Sequence, residues 1–485
     1  MLNHLLPYLP ELIAFVSGII LLFIFSIKRF SFDVISSISF LVLIFILIIS
    51  VISSPEDVIS SSHLFSVSSF SIFFRIVIIL SIILTFLFSS RARELPDRVA
   101  QEYSLMLFLF FIAASFMVMA ENLLALYISM EILSLISYVC VSFDLERSRS
   151  QEAGIKYAIY GAVASSLMLF GISYIYGITG SLNYSEISTK LSSLNINNEP
   201  VYLMILIVTL MIFGGLFFKL AAFPFYAWSP DAYEGGPTPF VALLSVGSKA
   251  AALGALIKVM TSIFVKSSHF SQDNVVIILG VVSILTMTLG NLMAINQNNL
   301  KRLLAYSSIA HAGYMIMALS AADTNAINAV KFYIVAYLLM NLGAFYCVQT
   351  LADRTGTEDI EVFNGLSSRS PYLAGMFTIF LLSLTGIPPF VGFVGKFYLF
   401  AVIINKGGGF YYILAIIGVL NSAISLYYYA RIIRVMYLIE GSDETFVFDS
   451  VRRYTLGILG IATVLFGVYF SPILRFIEHF NGILR

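Results

Sequence analysis

The chain has 485 residues, 59% of them hydrophobic and only 11% charged, where a soluble chain carries roughly a quarter charged residues. No water-soluble core hides that much apolar surface, so the solvent must be lipid. The 27 Lys+Arg and 27 Asp+Glu cancel, which suggests no nucleic-acid partner, and Cys140 and Cys347 sit in apolar runs without a CxxC spacing, which argues against a redox or metal site built on cysteine.

Stretches of about 20 apolar residues fall near 10–27, 34–53, 68–90, 103–120, 123–143, 156–178, 201–223, 239–265, 274–293, 303–321, 328–350, 372–404, 408–436 and 454–474. They predict an all-α polytopic membrane fold of about fourteen spans, since helices satisfy their own backbone groups in lipid. The first run, Leu12 to Ile27, has no basic segment ahead of it, is followed by Lys28 and Arg29, and lacks a small-residue cleavage site. It reads as a retained helix and not as a signal peptide. The twelfth stretch is too long for one straight span and contains Pro388 and Pro389, so it reads as one broken helix.

Loop charge orients these spans. With the N-terminus outside, the inner loops hold 15 of the 27 Lys+Arg, Lys301 among them. The outer segments hold 8, including Arg75, Lys258, Lys266 and Lys331. The positive-inside rule then places both termini on the outer side.

Four lysines remain after that count. Lys219, Lys249 and Lys396 fall well inside apolar spans, and Lys156 lies near the start of the sixth. Glu131 sits mid-span in LLALYISMEILSLISY, and His311, in AYSSIAHAGYMIM, is the histidine placed well within a span. A charge in hydrocarbon costs a few kcal/mol or more, so such residues face a bundle interior, a water chain or a partner. Lys156 is as well explained by snorkelling to the near boundary, and His311 by a neighbouring helix's carbonyl. Burial disfavours the ammonium form of a lysine and a nearby carboxylate restores it. A carboxylate that moves or changes protonation therefore switches such a lysine between holding and releasing a proton. Glu131 and Lys219 are candidates for such a pair, and imidazole, exchanging protons near neutral pH, suits a bridge between lysine sites.

Helix breaks accompany two of the lysines. GGLFFKLAAFPFYAW puts Pro224 five residues after Lys219, and SLTGIPPFVGFVGKF puts Pro388 and Pro389 just before Lys396. Interrupted segments in two halves of a transporter point to inverted repeats with ion sites at the breaks. Other chemistries find no support. GFVGK at 392–396 lacks the full phosphate-loop pattern, and the sequence carries no dinucleotide fingerprint, HExxH or second intramembrane histidine for a haem.

The run KLAAFPFYAWSPDAYEGGPTPFVALLSVGSKAAALGAL, residues 219–256, resembles the segment shared by the antiporter-like subunits of respiratory NADH–quinone oxidoreductase. The form PDAYEGGPTP followed by SVGSKAA resembles the N type, where the L, M and cation/proton antiporter relatives read PDAH. ENLLALYISMEILSLISY, AGIKY, LKRLLAYSSIAHAGY and LTGIPPFVGFVGKF extend the likeness through residues 100–440.

The resemblance implies two inverted five-helix repeats: helices 1–3 over residues 1–100, the first repeat (helices 4–8) over 101–266, the second (helices 9–13) over 270–440, and a last helix within 450–485. It implies broken helices 7 and 12. It makes Glu131 the helix 5 carboxylate, Lys219 its partner, Lys249 the central relay lysine, Lys396 the exit-side lysine, and Lys156 a residue connecting the uptake path, with His311 a possible further relay group. It implies no cofactor on this chain, with NADH, FMN, iron–sulfur clusters and quinone bound by partner subunits. The partners would be an antiporter-like M subunit, small membrane subunits and lipids, in a bacterial plasma membrane. Two rival readings are a subunit of a multi-subunit Na+/H+ antiporter, and a scaffold subunit whose lysines form structural pairs.

Overall fold

The computed structural model describes residues 6–27, 30–52, 58–59, 64–144, 147–194, 199–265, 272–441, 445 and 449–480. The helices are α1 (Leu9–Ile27), α2 (Phe32–Ile52), α3 (Ser69–Ser89), α4 (Ala100–Met119), α5 (Leu123–Val141), α6 (Ser148–Thr179), α7 (Glu199–Leu220), α8 (Thr238–Val265) and α9 (Gln272–Ile295). Then follow α10 (Leu300–Leu319), α11 (Thr324–Thr355), α12 in two halves (Pro371–Thr385 and Val391–Lys406), α13 (Gly409–Leu438) and α14 (Ser450–Val468). Each of the predicted spans has its helix. Among the described residues, 12 single helices are long and apolar enough to cross a membrane. The other two are α10, diluted by Lys301, Arg302, His311 and its serines, and the divided α12. Among the described residues, extended pairing is confined to isolated bridges and a two-residue antiparallel ribbon, Val58–Ile59 against Ser66–Val67.

Helices α8 and α11 form the centre. The most apolar stretch of α8 is 100% buried and that of α11 89%, against 28% for α13. In α8, Ala250, Ala251, Ala252 and Gly254 let the helix approach α3, α4 and α7 closely. The outer helices α1, α2, α13 and α14 present Leu, Ile and Phe outward, as a lipid-facing shell requires.

The predicted breaks are present. After α7 the chain leaves the helix at Ala221, which holds φ 54, and re-enters it as a short helix, Trp228–Gly235, that packs on α6 and α10. The first half of α12 stops at Gly386, whose φ of 88 suits glycine, and the second half restarts at Val391.

Two pairs of helix ends match between the halves of the chain. The 32-residue helices α6 and α11 both end in Thr-Gly with the glycine left-handed, at φ 64 and φ 79. Thr179 Oγ1 donates to the carbonyls of Ile175 and Ser181; Thr355 Oγ1 donates to those of Leu351 and Thr357. Asn122 caps α5 and bridges Asn183, just as Asn299 caps α10 and bridges Asp359.

Several charges counted as loop residues are buried in the bundle. Arg75 pairs with Glu11 at 2.8 Å, Lys258 with Glu121 at 2.9 Å, and Lys301 with Glu94 at 3.1 Å. Lys331 Nζ donates to the Phe480 carbonyl at 2.9 Å, between the rings of Phe70 and Phe73. They stay near span ends yet leave water because partners satisfy them. Lys28, Arg29, Lys266, Arg485 and the proposed boundary between 266 and 270 lie outside the described residues.

Candidate functional site

Lys219 ends α7 one residue before Leu220 and is 1% exposed. Its Nζ lies 5.8 Å from the centroid of the Tyr157 ring and has no hydrogen-bond partner among the described residues. Glu131, half-buried on α5, is its electrostatic neighbour. The two do not close a salt bridge, and one Glu131 oxygen is buried without a hydrogen-bond partner among the described residues. The expected pair is thus open: a charge attraction without contact. Ala221, in a sparsely populated backbone region that costs on the order of 1 kcal/mol or more, ends the helix directly beside Lys219.

Lys249 opens a regular stretch of α8 directly after a wide π-turn, Leu244–Ser248, a type of distortion that recurs at functional sites. Its Nζ donates to the Ser308 carbonyl at 2.5 Å. Among the described residues it has no anionic partner. The π-turn is braced from α11, where Asn341 Nδ2 donates to Ser245 Oγ at 2.5 Å.

His311 stands between Lys249 and Lys396 and feels the charge of both. Its Nδ1 lies 2.7 Å from the Tyr333 hydroxyl on α11, and its Nε2 lies 3.4 Å from the Tyr429 hydroxyl on α13. Tyr429 in turn hydrogen-bonds Ser307, one turn before the histidine on α10. The alternative of a histidine held by a backbone carbonyl is not what is found: both ring nitrogens face hydroxyls.

Lys396, on the second half of α12, donates to the Thr385 carbonyl at 2.8 Å and to Ser422 Oγ at 2.9 Å. Its Nζ also lies 5.0 Å from the centroid of the Tyr314 ring. Tyr314 packs edge-on to His311 at 5.8 Å, and its hydroxyl accepts from Asn291, which is tied to Asn421 and Tyr428. The end of the first half of α12 therefore supplies the carbonyl that holds the lysine of the second half. A Cβ on Gly386 would meet Lys396 Cδ at 2.8 Å, so the glycine also makes room for that side chain.

Lys156 differs from the other three. It is 42% exposed and paired with Glu152 at 2.6 Å and Asp231 at 2.9 Å. Asp231 also takes Arg302 at 2.6 Å, and Glu234 takes Arg302 and Arg149. These groups line a polar cavity of about 180 Å³. Burial alone would raise the Asp231 carboxyl, but its bonds with Lys156 and Arg302 hold it below the usual carboxylate range. Behind Lys156, the ring of Tyr157 stacks on Trp228 at 4.0 Å, between this cluster and Lys219.

The lysines stand out in the sequence, and the hydroxyls between them do not. The hydroxyls of Tyr157, Ser229, Tyr233, Ser308 and Tyr337 are buried; Ser308 neighbours both Tyr233 and Tyr337, and Ser229 neighbours Tyr233, without a hydrogen bond of ordinary geometry among the described residues. Tyr337 neighbours both Tyr233 and Tyr429 electrostatically. A signal existed: His311 and Tyr314, and Tyr333 and Tyr337, are spaced to share a helix face. Tyrosine is so common in this chain, at 27 residues, that the spacing alone does not stand out.

The family model for the transmembrane segment of NADH:quinone oxidoreductase and Mrp antiporter subunits matches residues 120–425. NADH-quinone oxidoreductase subunit N of Anaeromyxobacter sp. (strain Fw109-5) is 40% identical over 434 residues, covering 84% of this chain and 83% of the relative. The chloroplastic NAD(P)H-quinone oxidoreductase subunit 2 of Chlorokybus atmophyticus is 37% identical over 435 residues, covering 87% and 82%. Among solved structures, a chain of respiratory complex I from Thermus thermophilus superposes with a TM-score of 0.79 at 26% identity, covering 96% of this chain and 98% of that one. A chain of the Mrp complex from Dietzia sp. DQ12-45-1b reaches 0.82 at 19% identity, covering 99% and 97%, a likeness of fold alone. By model match, identity and coverage, the chain belongs to the NADH:quinone oxidoreductase/Mrp antiporter transmembrane family and, within it, groups with subunit N.

Proposed function

We infer that this chain is the proton-translocating N subunit of an NADH–quinone oxidoreductase, and that Lys219, Lys249, His311 and Lys396 form its relay with Glu131 as modulator. The observation that carries this is three buried lysines, Lys219, Lys249 and Lys396, that close no ion pair among the described residues, with an imidazole between the last two. A stable structural pair would place a carboxylate on each, as Arg75, Lys258 and Lys301 have. Unpaired cations in lipid are costly, and residues that incur the cost mark ion pathways. The cluster of buried hydroxyls around Tyr233 and Ser308, which close no hydrogen bond of ordinary geometry among the described residues, suits ordered water, which satisfies buried polar groups in folded proteins.

A proton enters by the Lys156–Asp231 cavity and passes Tyr157 to Lys219, whose charge Glu131 favours from nearby. When a neighbouring subunit weakens that attraction, the proton moves towards Lys249 and on through His311 with Tyr333 and Tyr429. Lys396 receives it and releases it outward as the pair resets. Quinone reduction on partner subunits drives the cycle, and NADH, FMN, iron–sulfur clusters and quinone reside there. Subunit M and the small membrane subunits are the expected neighbours in a bacterial plasma membrane, with both termini outside. The matched ends of α6 and α11, and of α5 and α10, support the two inverted repeats at 101–266 and 270–440.

Membrane vesicles holding the assembled complex test this reading. At matched complex content, Lys219→Ala is expected to lose proton pumping together with quinone-coupled turnover. Pumping at the wild-type level would make the lysine structural and the chain a scaffold.

A further inference from the structure

GFVGK at 392–396 opens no phosphate loop: its residues lie on the second half of α12. Its glycines mark places where that half-helix is pressed against other groups of the chain. A Cβ on Gly392 would strike the Ser383 carbonyl oxygen across the break. A Cβ on Gly395 would meet Tyr333 Cδ2 on α11 at 2.7 Å and Cε2 at 3.3 Å, closer than the first contact of a real Cβ allows. The Tyr333 ring is therefore seated directly against bare backbone.

That ring carries the hydroxyl 2.7 Å from His311 Nδ1. The next residue after Gly395, Lys396, turns elsewhere, to the Thr385 carbonyl, Ser422 Oγ and the Tyr314 ring. One turn of helix thus touches the histidine's partner with one residue and carries the exit-side lysine on the next. Tyr398, three residues after Gly395 and so on the same face, sets its ring 5.3 Å from that of Phe332. The half-helix grips the Phe332–Tyr333 pair at two points. A helix moves as one body through its repeating backbone bonds, so a displacement that shifts Lys396 also shifts the seat of Tyr333. Gly395, Tyr333 and His311 are all buried within the chain, and the contact does not depend on what covers the outer faces of the bundle.

We propose that Gly395 is a positioning residue of the relay. By leaving room for the Tyr333 ring against the second half of α12, it holds the Tyr333 hydroxyl on His311 Nδ1 and ties that bond to the place of Lys396. The imidazole is then oriented for transfer only while the half-helix that bears the receiving lysine is seated. This role rests on the relay reading above; the packing of Gly395 on Tyr333 does not.

The test uses membrane vesicles holding the assembled complex with Gly395→Ala, Tyr333→Phe or both, each read as proton pumping per electron pair across a range of pH. His311 faces Tyr333 and Tyr337 on α11, Tyr314 on its own helix, Tyr429 on α13, Lys249 on α8 and Lys396 on α12. Of these groups Tyr333→Phe removes one hydroxyl and leaves the rest. It is expected to lower pumping about fivefold, the worth of one neutral hydrogen bond. Gly395→Ala should lower pumping at least as far and move its pH dependence in the same direction. The combined variant should be no worse than Gly395→Ala alone, because two changes that act through one bond are not additive. Losses that multiply in the combined variant, or a pH dependence that Gly395→Ala leaves in place, would overturn the proposal. If Gly395→Ala does not assemble, adding Tyr333→Ala, which removes the ring that the methyl group meets, is expected to restore assembly. Continued failure would put the fault elsewhere and overturn the proposal as well. Wild-type pumping in His311→Leu would sink the relay reading and this role with it, whereas lost pumping there beside multiplying losses in the combined variant would sink the role of Gly395 alone.

Discussion

Among individual residues, the buried lysines divide by what they touch. Lys301 meets Glu94 and Lys258 meets Glu121, whereas Lys249 meets the carbonyl of Ser308. An ammonium in that position costs several kcal/mol of desolvation that one neutral acceptor does not repay. Lys249→Met is therefore expected to leave the thermal stability of the assembled complex unchanged or raised, while proton pumping per electron pair falls at least severalfold. A lowered melting temperature with intact pumping would instead make Lys249 structural. The lysines were legible in the sequence because a charge inside an apolar run stands out. Their partners were not, since Ser308, Tyr333 and Ser422 come from spans remote in the chain.

The broken helices and their junctions form the next scale. Gly386 combines a φ of 88 with contact against the Lys396 side chain. Gly386→Ala is expected to cost about 1–3 kcal/mol from the backbone, and to cut coupled turnover by displacing Lys396 from Thr385. Assembly measured by native gel should persist; full turnover would show that the break tolerates a methyl group. Glu94 is a junction of a second kind. Its carboxylate accepts from Lys301, Arg147 and the Thr238 N–H at the start of α8. Burial alone would raise its carboxyl, but Lys301 and Thr238 hold it below the usual carboxylate range. A depressed folded value contributes stability above the unfolded carboxylate range that disappears as pH falls through the folded one. Glu94→Gln removes that acid-side loss and leaves Lys301 without its main partner, at a cost of roughly 3–5 kcal/mol. Thermal melts of the complex at neutral and acid pH should show a lower melting temperature at neutral pH and a flatter acid limb. Recovery in the double variant with Lys301→Met would assign the loss to the pair. The breaks themselves were visible as Gly and Pro beside lysines, but the role of Glu94 was hidden in a loop with no periodicity.

In the whole molecule, two halves with matching helix ends enclose a centre made of α8 and α11. An even number of spans puts both termini on one face, and the positive-inside rule gives the expectation, to be tested, that this face is the outer one. A phosphatase reporter fused after Arg485 should be active in cells, and a cytoplasmically active reporter in the same place should be silent; the reverse pattern would invert the topology. The count is looser than the sequence alone implied, because Arg75, Lys258, Lys301 and Lys331 are buried by partners and not solvated in loops. Composition and the length of apolar runs determined the lipid solvent, the helical class and the spans, since in hydrocarbon each helix must satisfy its own backbone. The same physics marked Lys219, Lys249 and Lys396, whose burial has to be explained by any fold. Tertiary structure alone decided which charges find a counter-charge and which do not. It left Glu131 and Lys219 apart, exposed Lys156 among carboxylates, and set His311 between two tyrosine hydroxyls. Pairing depends on distances of a few ångströms between helices far apart in the chain, and no local pattern encodes them.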